Sequence, residues 1–276
     1  MMSAPDRYKG LIHHLKSLKT CMIAFSGGLD STFLLWAAHD ALKEGVMAVT
    51  VETPYMPAWE IREAMEMVQN MGIRHKLIKL PLIDEIRFNP DDRCYRCKRH
   101  LFSVLKDEAL KEGIPHVLDG TNADDLKDYR PGMKALKELG IASPLLLQGF
   151  TKEDIREMSR KNGIPNWQKP PYACLLSRIP YGREITLPEL ERIEKSERYL
   201  MDMGFAFVRV RSDGALARIE FRREDRNRLF REELLDDISK TLKGFGYGFV
   251  AMELEGYQMG SMNRTLKGKN LSRLVV

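Results

Sequence analysis

Short apolar runs alternate with amphipathic segments through the first part of the chain. The runs at residues 21–25, 46–51, 73–80 and 116–118 have the length of buried strands. Between them apolar residues recur at helical spacing, and the segment after the second run carries Ile61, Met65, Val68 and Met71. Strands that alternate with helices in this way predict a parallel sheet, with ligands bound at the carboxyl ends of its strands.

The pattern changes after residue 183. Thr186-Leu187-Pro188-Glu189 has the form of a capping box and predicts a helix that ends near Gly204. Two strands, another helix and a final strand at residues 249–254 follow. We therefore expect a larger α/β domain over residues 1–183 and a smaller α+β domain over residues 184–276.

The first apolar run leads directly into Ser26-Gly27-Gly28-Leu29-Asp30-Ser31 and then into a helix predicted to begin near Asp30. The two glycines allow a tight turn with outward-facing backbone amides, and the helix N-terminus adds partial positive charge at the same place. The Gly-Lys-Ser/Thr ending of the Walker loop is missing. The segment therefore predicts a phosphate site of another kind at the end of the first strand.

A pair of acidic residues, Asp124 and Asp125, lies just beyond the predicted strand at residues 116–118. This position is on the ligand side of the sheet. A carboxylate there can hold magnesium on a nucleotide, or it can simply cap a turn.

A long segment without periodicity separates the two predicted domains. A variant capping box at Thr151 and Asp154 opens a helix that stops at Gly163. Residues 164–182 then contain four prolines, several aromatic side chains and Cys174. Loops of this length are usually either functional or disordered, and the aromatic residues argue against disorder.

The chain has four cysteines, too few for a disulfide scaffold in a protein of this length. Cys94 and Cys97 lie at the start of a predicted helix, whose N-terminus favours the thiolate. Four interpretations stay open: a redox pair, a zinc site completed by His100 and Cys174, an iron–sulfur cluster held by Cys94, Cys97 and Cys174, or plain buried thiols. Cys21, inside the first strand, is predicted to be a core residue.

The smaller domain carries a group of arginines. With a two-residue loop at Asp213-Gly214, Arg209 opposes Arg218 in the predicted hairpin. One face then shows Arg209, Arg211, Arg218 and Glu220. Like charges directly opposite each other destabilise a hairpin unless an anion lies between them, and guanidinium groups fit phosphate best. The alternative is an ordinary solvated face that Glu220 partly neutralises.

A carboxylate also falls on an apolar face in this domain. The helix that follows Thr186 shows Leu190, Ile193, Leu200 and Met203 on one side, and Glu197 lies near the middle of that stripe. A buried carboxylate is either paired or functional. Pairing with an arginine of the same domain is the first interpretation, and a direct role in the site is the second.

Composition sets limits on the partners. Charged residues make up 30% of the 276 residues, and the formal net charge is +5 with a pI near 8.9. This excess suits phosphate-bearing ligands, but no long run of lysine and arginine requires nucleic acid. The first ten residues contain no apolar signal core, and no apolar run is long enough to span a bilayer. We expect a soluble cytoplasmic protein, with neither a membrane nor nucleic acid as a partner.

The loop at residues 26–31 is similar, residue for residue, to the Ser-Gly-Gly-x-Asp-Ser signature of the PP-loop ATP pyrophosphatases. Other segments resemble the LarE family, the ATP-dependent sulfurtransferases of nickel-pincer nucleotide biosynthesis, over nearly the whole chain. Ala173-Cys174-Leu175-Leu176-Ser177-Arg178 is specific for this family within PP-loop proteins. The segments that carry the resemblance are 89–90, 93–98, 119–122, 128–132, 169–182 and 208–211.

The resemblance implies a fold and an activity. The fold is a parallel-sheet PP-loop domain of the adenine nucleotide alpha hydrolase type, followed by an α+β domain for substrate binding or oligomerisation. The activity uses ATP and Mg²⁺ to adenylylate the carboxylates of pyridinium-3,5-biscarboxylic acid mononucleotide, and sulfur then replaces AMP. Two rounds give the bisthiocarboxylate. The family also implies a homo-oligomer, either a dimer or a higher ring.

The resemblance also implies roles for particular residues. Binding of ATP is implied for Ser26, Gly27, Gly28, Asp30, Ser31 and Asp124, with Asp30 and Asp124 beside magnesium. The implied catalytic residues are Cys174, Asp30, Ser177 and Arg178. Contacts with the substrate phosphate are implied for Ser177, Arg178, Arg209 and Arg211. Further candidates for contact with a metal or the active site are Glu197, Glu220 and Arg218.

Members of the family differ in their source of sulfur. Some give up the sulfur of the cysteine itself and end as dehydroalanine, whereas others hold a 4Fe-4S cluster with three cysteines and transfer a sulfide bound to its open iron. Cys94, Cys97 and Cys174 make this chain similar to the cluster type, with sulfide or another sulfur donor as a partner. The alternatives are the sacrificial form, a PP-loop tRNA thiolase, and a nucleotide-binding module without turnover.

Overall fold

The structure, a computed structural model, describes residues 3–127, 131–170, 172–258 and 260–262. The described chain forms two compact units. Unit 1 contains the residues up to 86 together with 90–172, and unit 2 contains residues 87–89 together with those from 173 onward. Residues 173–183, expected in the first domain, therefore group with the second unit. Within the described ranges, no helix combines the length and apolar character that crossing a membrane requires.

A parallel sheet forms the centre of unit 1. Its strands are β1 (Cys21–Ala24), β2 (Val46–Glu52), β3 (Arg74–Lys79) and β4 (Val117–Leu118). They lie in the order β3-β2-β1-β4, and Met22 of β1 is in register with Met47 of β2 and Val117 of β4. The carboxyl ends of these strands therefore meet at one edge, and the predicted parallel α/β architecture is confirmed.

Helices cover both faces of this sheet. They are α1 (Ala4–Leu18), α2 (Leu29–Leu42), α3 (Ala58–Asn70), α4 (Arg93–Lys111), α5 (Gly132–Glu138), α6 (Pro144–Leu147) and α7 (Lys152–Lys161). Because side chains alternate along β1, Ile23 packs into one core with Phe33 and Phe150, whereas Met22 packs into another with Phe102 and Leu105. The sheet is thus buried on both faces, as parallel sheets usually are.

Local sequence signals explain where the helices of unit 1 begin and which sides they bury. The capping box at α7 is observed, because Thr151 Oγ1 accepts from the Asp154 amide and the Asp154 carboxylate accepts from the Thr151 amide. The helix predicted from the spacing of the apolar residues is observed as α3. Of these residues, Ile61 and Val68 are buried, whereas Met65 is 40% exposed.

Unit 2 contains a smaller sheet and three helices. Its strands are β5 (Val208–Asp213), β6 (Leu216–Phe221) and β7 (Phe249–Met252), and its helices are α8 (Leu187–Asp202), α9 (Arg226–Leu229) and α10 (Glu232–Gly244). The strand order is β5-β6-β7, with β5 and β6 antiparallel and β7 parallel to β6. Leu200, Phe205, Val210 and Ile219 lie in its core. The unit has the mixed α and β content expected of it.

The predicted register of the β5–β6 hairpin was wrong by two residues. Asp213 pairs with Leu216 and Arg211 opposes Arg218, so Arg209 faces Glu220. The loop consists of Gly214 and Ala215, and Gly214 supplies the positive φ of 63° that this tight turn requires. A shift of two residues leaves every side chain on its predicted face, because strand side chains repeat every two residues.

Only half of the capping box predicted at the start of α8 is observed. Thr186 Oγ1 accepts from the Glu189 amide, as in a capping box. The carboxylate of Glu189, however, accepts a hydrogen bond of 2.6 Å from Ser212 Oγ on β5. The sequence pattern therefore gave the helix start correctly, whereas the side chain of Glu189 joins α8 to the hairpin.

Candidate functional site

The Gly-rich loop begins where the chain leaves the sheet after β1. The amide of Phe25 still donates to Val49 of β2, and Gly28 is the N-cap residue of α2 without any side-chain cap. Gly27 has φ of 68°, and a Cβ at this position would lie 2.8 Å from the Cβ of Ala64 on α3. Only glycine satisfies both conditions, because an L side chain would be strained at this φ and would also clash.

Hydroxyl groups fix the shape of the loop from within. The hydroxyls of Ser26 and Ser31 lie 3.1 Å apart, and Ser31 Oγ donates to the carbonyl of Gly28 at 3.1 Å. Thr32 Oγ1 donates to the same carbonyl at 2.8 Å. These contacts join the loop to the first turn of α2, so the amides at the helix N-terminus keep a fixed direction.

Asn166 fixes the loop from outside. Its Nδ2 donates to the carbonyl of Gly27 at 3.1 Å and to Thr32 Oγ1 at 2.8 Å. Lys169 Nζ lies 3.4 Å from the same carbonyl and pairs with Glu63. Asn166 is buried. Because carbonyls that turn towards the amide side would repel a phosphate, these donors help to hold the Gly27 carbonyl away from an anion site.

A cavity of about 270 Å³ opens above the loop at the carboxyl edge of the sheet. Val49, Val51, Phe102 and Leu105 give it an apolar wall. Its polar lining includes Ser26, Asp30, Ser31, Lys98, Asp119, Thr121 and Asp125. Amides and a lysine suit phosphates, carboxylates suit a magnesium ion, and the apolar wall suits a base, so the cavity has the chemistry of a nucleotide site.

The segment after β4 closes one side of the cavity. The carboxylate of Asp119 accepts from Thr121 Oγ1 at 2.6 Å and lies 3.7 Å from Lys98 Nζ. Gly120 lets the segment approach α2, because a Cβ there would lie 2.9 Å from the amide nitrogen of Ser31. The glycine therefore brings the β4 edge and the phosphate loop together.

The two acidic residues after β4 have different positions. The carboxylate of Asp124 accepts from the backbone amide of Lys152 at 2.8 Å, at the start of α7. Asp125 lines the cavity and accepts from the amide of Asn122 at 3.1 Å. Between the two, Asp125 is the one whose side chain faces the nucleotide cavity.

Cys94 and Cys97 lie at the start of α4, three residues apart and thus within one helical turn. Cys94 is exposed, Cys97 is half-buried, and the Sγ of Cys97 lies 3.1 Å from the hydroxyl of Tyr55. All four cysteines of the chain are among the described residues, and no disulfide joins any two of them. Cys21 is fully buried in β1 with a thiol pKa raised to about 12 by burial. The predicted core role of Cys21 agrees with this burial.

Of the predicted zinc set, Cys94, Cys97 and His100 belong to unit 1, and Cys174 belongs to unit 2. Across the described ranges, no three histidine, cysteine or carboxylate side chains converge in an arrangement that holds a metal ion. The two cysteines of α4 nevertheless present their thiols on the same helix turn. They therefore provide two sulfur donors of the kind that iron and zinc prefer.

Cys174 begins a tight turn in unit 2. Residues 175–178 form one turn of 3₁₀-helix, for which Cys174 is the N-cap residue. The carbonyl of Cys174 accepts from the amide of Ser177 at 3.1 Å and from Ser177 Oγ at 3.0 Å. The side chain of Cys174 is half-buried. The backbone of the turn is therefore held by hydrogen bonds, while the side chain of Cys174 stays partly accessible to solvent.

Arg178 and Glu197 form a buried ion pair beneath this turn. Arg178 donates from Nε and Nη2 to the two carboxylate oxygens of Glu197 at 2.9 and 2.8 Å. Glu197 also accepts from the amide of Val210 at 2.9 Å. Burial alone would raise the pKa of Glu197, but the Arg178 and Arg209 guanidiniums and the Val210 amide outweigh it and hold that pKa below its ordinary value. The pairing interpretation of Glu197 is thus the one observed.

The arginine face of the hairpin has protein partners of its own. Arg211 donates to both oxygens of Glu220 at 3.0 and 2.7 Å and to the carbonyl of Ser177. Arg218 pairs with Glu220 at 3.2 Å and also with Glu253. These carboxylates lie between the arginines, so the face is neither an open cationic surface nor an ordinary solvated one.

Arg209, the remaining member of the face, is buried. Its guanidinium carbon lies 4.4 Å from the ring centroid of Phe207, and its Nη1 donates to the carbonyl of Val208 at 2.9 Å. A cation held against an aromatic ring in this way contributes to packing as well as to charge. Arg209 therefore adds positive potential beside Glu197 from within the unit.

The parallel sheet, the Ser-Gly-Gly-Leu-Asp-Ser turn at the end of β1 and the cavity above it define a nucleotide-binding domain of the PP-loop class. Residues 20–90 match the model of the family described as queuosine biosynthesis protein QueC. The matched range contains the phosphate loop at residues 26–31.

Similarity to known proteins extends over nearly the full length. Pyridinium-3,5-bisthiocarboxylic acid mononucleotide synthase of Lactiplantibacillus plantarum is 34% identical over 266 residues, 95% of each chain. An uncharacterized protein of Synechocystis is 41% identical over 95% of this chain and 98% of its own. A protein of Methanocaldococcus jannaschii is 34% identical over 87% and 91%. The chain belongs to the LarE family, the family of this bisthiocarboxylic acid mononucleotide synthase.

Three residues of the nucleotide cavity and loop were missed by sequence reasoning. Lys98 follows Cys97 and lies one turn after Cys94, so helical spacing could have placed it on the same side of α4. Asp119 is the first residue of segment 119–122, which resembles the family. Asn166 lies in a stretch without periodicity, and no local pattern indicated its contact with Gly27. Residues 128–130 and Pro171, which belong to quoted segments, lie outside the described residues.

Removal of the Asn166 side chain is expected to weaken nucleotide binding without unfolding the protein. The variant Asn166→Ala loses the donor to the Gly27 carbonyl, and one hydrogen bond contributes about 1 kcal/mol, so the Kd for ATP should rise about fivefold. Isothermal titration calorimetry measures this change.

The matched control is Asn162→Ala, whose exposed amide donates to the carbonyl of Met158 in α7. Its Kd for ATP should equal that of the unaltered protein. Equal affinities for Asn166→Ala and Asn162→Ala would show that Asn166 does not hold the loop.

Proposed function

We propose that the protein is an ATP-dependent sulfurtransferase that converts the carboxylates of pyridinium-3,5-biscarboxylic acid mononucleotide into thiocarboxylates. The observation that carries the proposal is the cavity above the Gly27 loop, which combines helix amides, Lys98 and carboxylates at one strand edge. The identity to a relative named for its bisthiocarboxylic acid mononucleotide product supports the choice of substrate.

In this proposal the ATP phosphates lie against the amides at the start of α2, between Gly27 and Ser31. Lys98 neutralises part of their charge from α4. Asp30, with Asp125 or Asp124, would hold Mg²⁺, which would screen the pyrophosphate charge when bound. The apolar wall at Val49 and Phe102 receives the base.

The carboxylate needs activation because an oxide is a poor leaving group. A carboxylate oxygen of the substrate attacks the α-phosphorus of ATP, the bond from that phosphorus to pyrophosphate breaks, and an acyl adenylate forms. A sulfur nucleophile then attacks the acyl carbon, and the carbon–oxygen bond to AMP breaks. The product is a thiocarboxylate, and a second round on the other carboxylate gives the bisthiocarboxylate.

Binding of the substrate phosphate is assigned to Ser177 and Arg211, with Arg209 adding charge. The hydroxyl of Ser177 lies in the Cys174 turn, and the guanidinium of Arg211 contacts the carbonyl of the same serine. A phosphate at Arg211 would compete with Glu220, so this assignment requires that contact to loosen. Arg178 is treated separately, because its side chain is fully buried.

The source of sulfur forms a further part of the proposal. Cys94, Cys97 and Cys174 would supply three thiolates to a 4Fe-4S cluster, which would carry the transferable sulfide. The two thiols on one turn of α4 suit this donor set. Sulfide or a protein that delivers sulfur is then the partner. A homo-oligomer, as in the family, completes the proposal.

The proposed reaction is tested with the synthetic biscarboxylate mononucleotide, Mg-ATP and sulfide under anaerobic conditions. We expect pyrophosphate release that depends on the carboxylate substrate, together with product that gains the mass of an oxygen-to-sulfur exchange. Mass spectrometry and a pyrophosphate assay measure both.

Pyrophosphate release without the substrate, or no release at all, would contradict the proposal. Bulk tRNA at physiological salt serves as the competing ligand. Tight tRNA binding combined with no thiocarboxylate would support a tRNA thiolase instead.

The cluster form and the sacrificial form predict different masses of the polypeptide after one turnover. We expect reconstituted protein to bind iron stoichiometrically, absorb broadly in the visible range and keep its polypeptide mass, because the sulfide comes from outside. Loss of one sulfur and two hydrogens at Cys174 would contradict the cluster and support the sacrificial form. The variant Cys94→Ser should lose the iron, whereas Cys21→Ser should keep it.

A further inference from the structure

The backbone on both sides of Cys174 is held by one guanidinium nitrogen. Nη1 of Arg178 donates to the carbonyl of Ala173 at 2.6 Å and to the carbonyl of Cys174 at 3.1 Å. These carbonyls belong to the two peptide groups that flank the Cα of Cys174. Because the planes of those groups define φ and ψ of the residue between them, Arg178 fixes the direction in which the Cys174 side chain leaves the backbone.

We propose that the buried Arg178–Glu197 pair is a positioning device for Cys174, which sets where its sulfur stands for the transfer step. Arg178 and Glu197 are then positioning residues and do not touch the substrate. The inference rests on the proposed function, because it concerns the second half of that reaction.

The geometry of the guanidinium makes Arg178 suited to this task. Its Nε and Nη2 edge is occupied by the carboxylate of Glu197, so Nη1 points in one fixed direction, towards the turn. Nη1 also lies 2.8 Å from Ser177 Oγ. A lysine would keep the charge but could not hold several acceptors at fixed angles.

Rigid elements hold the carboxylate in turn. Glu197 belongs to α8, and its Oε1 accepts from the amide of Val210 on β5. Arg178 is 1% and Glu197 3% exposed, so neither side chain is open to a ligand in the described unit. The position of Cys174 is therefore tied to a helix and a strand.

Other contacts hold the rest of the turn. The Cys174 carbonyl also accepts from the amide and hydroxyl of Ser177, and Arg178 adds the link between this carbonyl and that of Ala173. Asn89, at φ of 44°, donates from Nδ2 to the carbonyls of Leu176, Ile179 and Pro180. Arg211 donates to the carbonyl of Ser177. These contacts keep residues 176–180 in place when Arg178 is altered. A change at Arg178 should therefore act on the direction of the Cys174 side chain.

The consequence is a separation of the two half-reactions. Formation of the acyl adenylate depends on the nucleotide cavity and should not depend on the exact direction of a thiol. Sulfur transfer requires the transferable sulfide, which Cys174 would help to place as a ligand of the cluster, to lie within reach of the acyl carbon. A displacement of about 1 Å can lower such a rate about 100-fold.

The test variant is the double substitution Arg178→Gln with Glu197→Gln, in the full chain. Both charges are removed together, because removal of one alone would leave an unpaired buried charge and could unfold the unit. We expect the single-turnover release of pyrophosphate to remain, while formation of thiocarboxylate falls about 100-fold. A second variant, Arg178→Lys, keeps the charge without the fork and should give the same separation.

The control is Asp202→Asn, which removes an exposed ion pair of 2.8 Å with Arg198 on the same helix. Its two half-reactions should match those of the unaltered protein. A parallel loss of both half-reactions in both test variants, together with a lowered melting temperature, would reduce the pair to a structural role and overturn the inference. Unchanged sulfur transfer would overturn it as well.

A chemical measurement separates this inference from the proposed function. Iodoacetamide alkylates the iron-free full chain, and peptide masses give the alkylation rate of each cysteine. This rate depends on the orientation and accessibility of the thiol. The rate at Cys174 should change in both test variants, while the rate at Cys94 stays constant. If no carboxylate-dependent pyrophosphate appears even in the unaltered protein, the proposed function fails, and an unchanged alkylation rate at Cys174 still overturns the positioning role.

Discussion

The close approach of Gly27 to Ala64 of α3 is the constraint on which the phosphate loop depends. A Cβ on Gly27 would lie 2.8 Å from the Ala64 side chain, so the loop can sit this close to the helix only with glycine. The contact fixes where the chain turns after β1, and thereby where the first amides of α2 point. Asn166 and the Ser26, Ser31 and Thr32 hydroxyls then hold that turn.

Charge compensation organises unit 2 in a comparable way. Arginines removed from water are costly without partners. The buried Arg178 is matched by the carboxylate of Glu197, and the half-buried Arg211 by that of Glu220. Both arginines use their remaining donors on carbonyls of the Cys174 turn. The arginine-rich hairpin therefore supports the cysteine first, and any role in binding a phosphate builds on the same framework. The proposed reaction needs activation by ATP and delivery of sulfur, and the residues for these two tasks are fixed by different sets of contacts.

Sequence reasoning succeeded where a pattern repeats or a motif is local. The strand, the glycines and the helix start of the phosphate loop are adjacent, so they were predicted together. Glu197 stood out because a carboxylate interrupted an apolar stripe. The hairpin faces were right although the register was wrong, because a two-residue shift preserves the alternation of side chains. The turn at Gly214 and Ala215 could not be distinguished from one at Asp213 and Gly214 by composition alone.

Contacts between distant positions could not be predicted in the same way. Asn166 reaches Gly27 across 139 residues, and Arg218 reaches Glu253 across 35. Neither contact leaves a periodic signal, because a single hydrogen bond or ion pair constrains one residue and not its neighbours. For the same reason the orientation of Arg178 was beyond sequence reasoning. Its motif indicated importance, but only the fold shows that the side chain turns inward to its own loop.

In the proposed reaction, ATP activates a carboxylate of the substrate before sulfur replaces an oxygen. The most direct measurement uses substrate whose carboxylate oxygens are oxygen-18, followed by mass spectrometry of the AMP that is released. We expect one labelled oxygen in AMP for each thiocarboxylate formed, because the attacking oxygen leaves with the phosphate. AMP without label, accompanied by thiocarboxylate product, would contradict it.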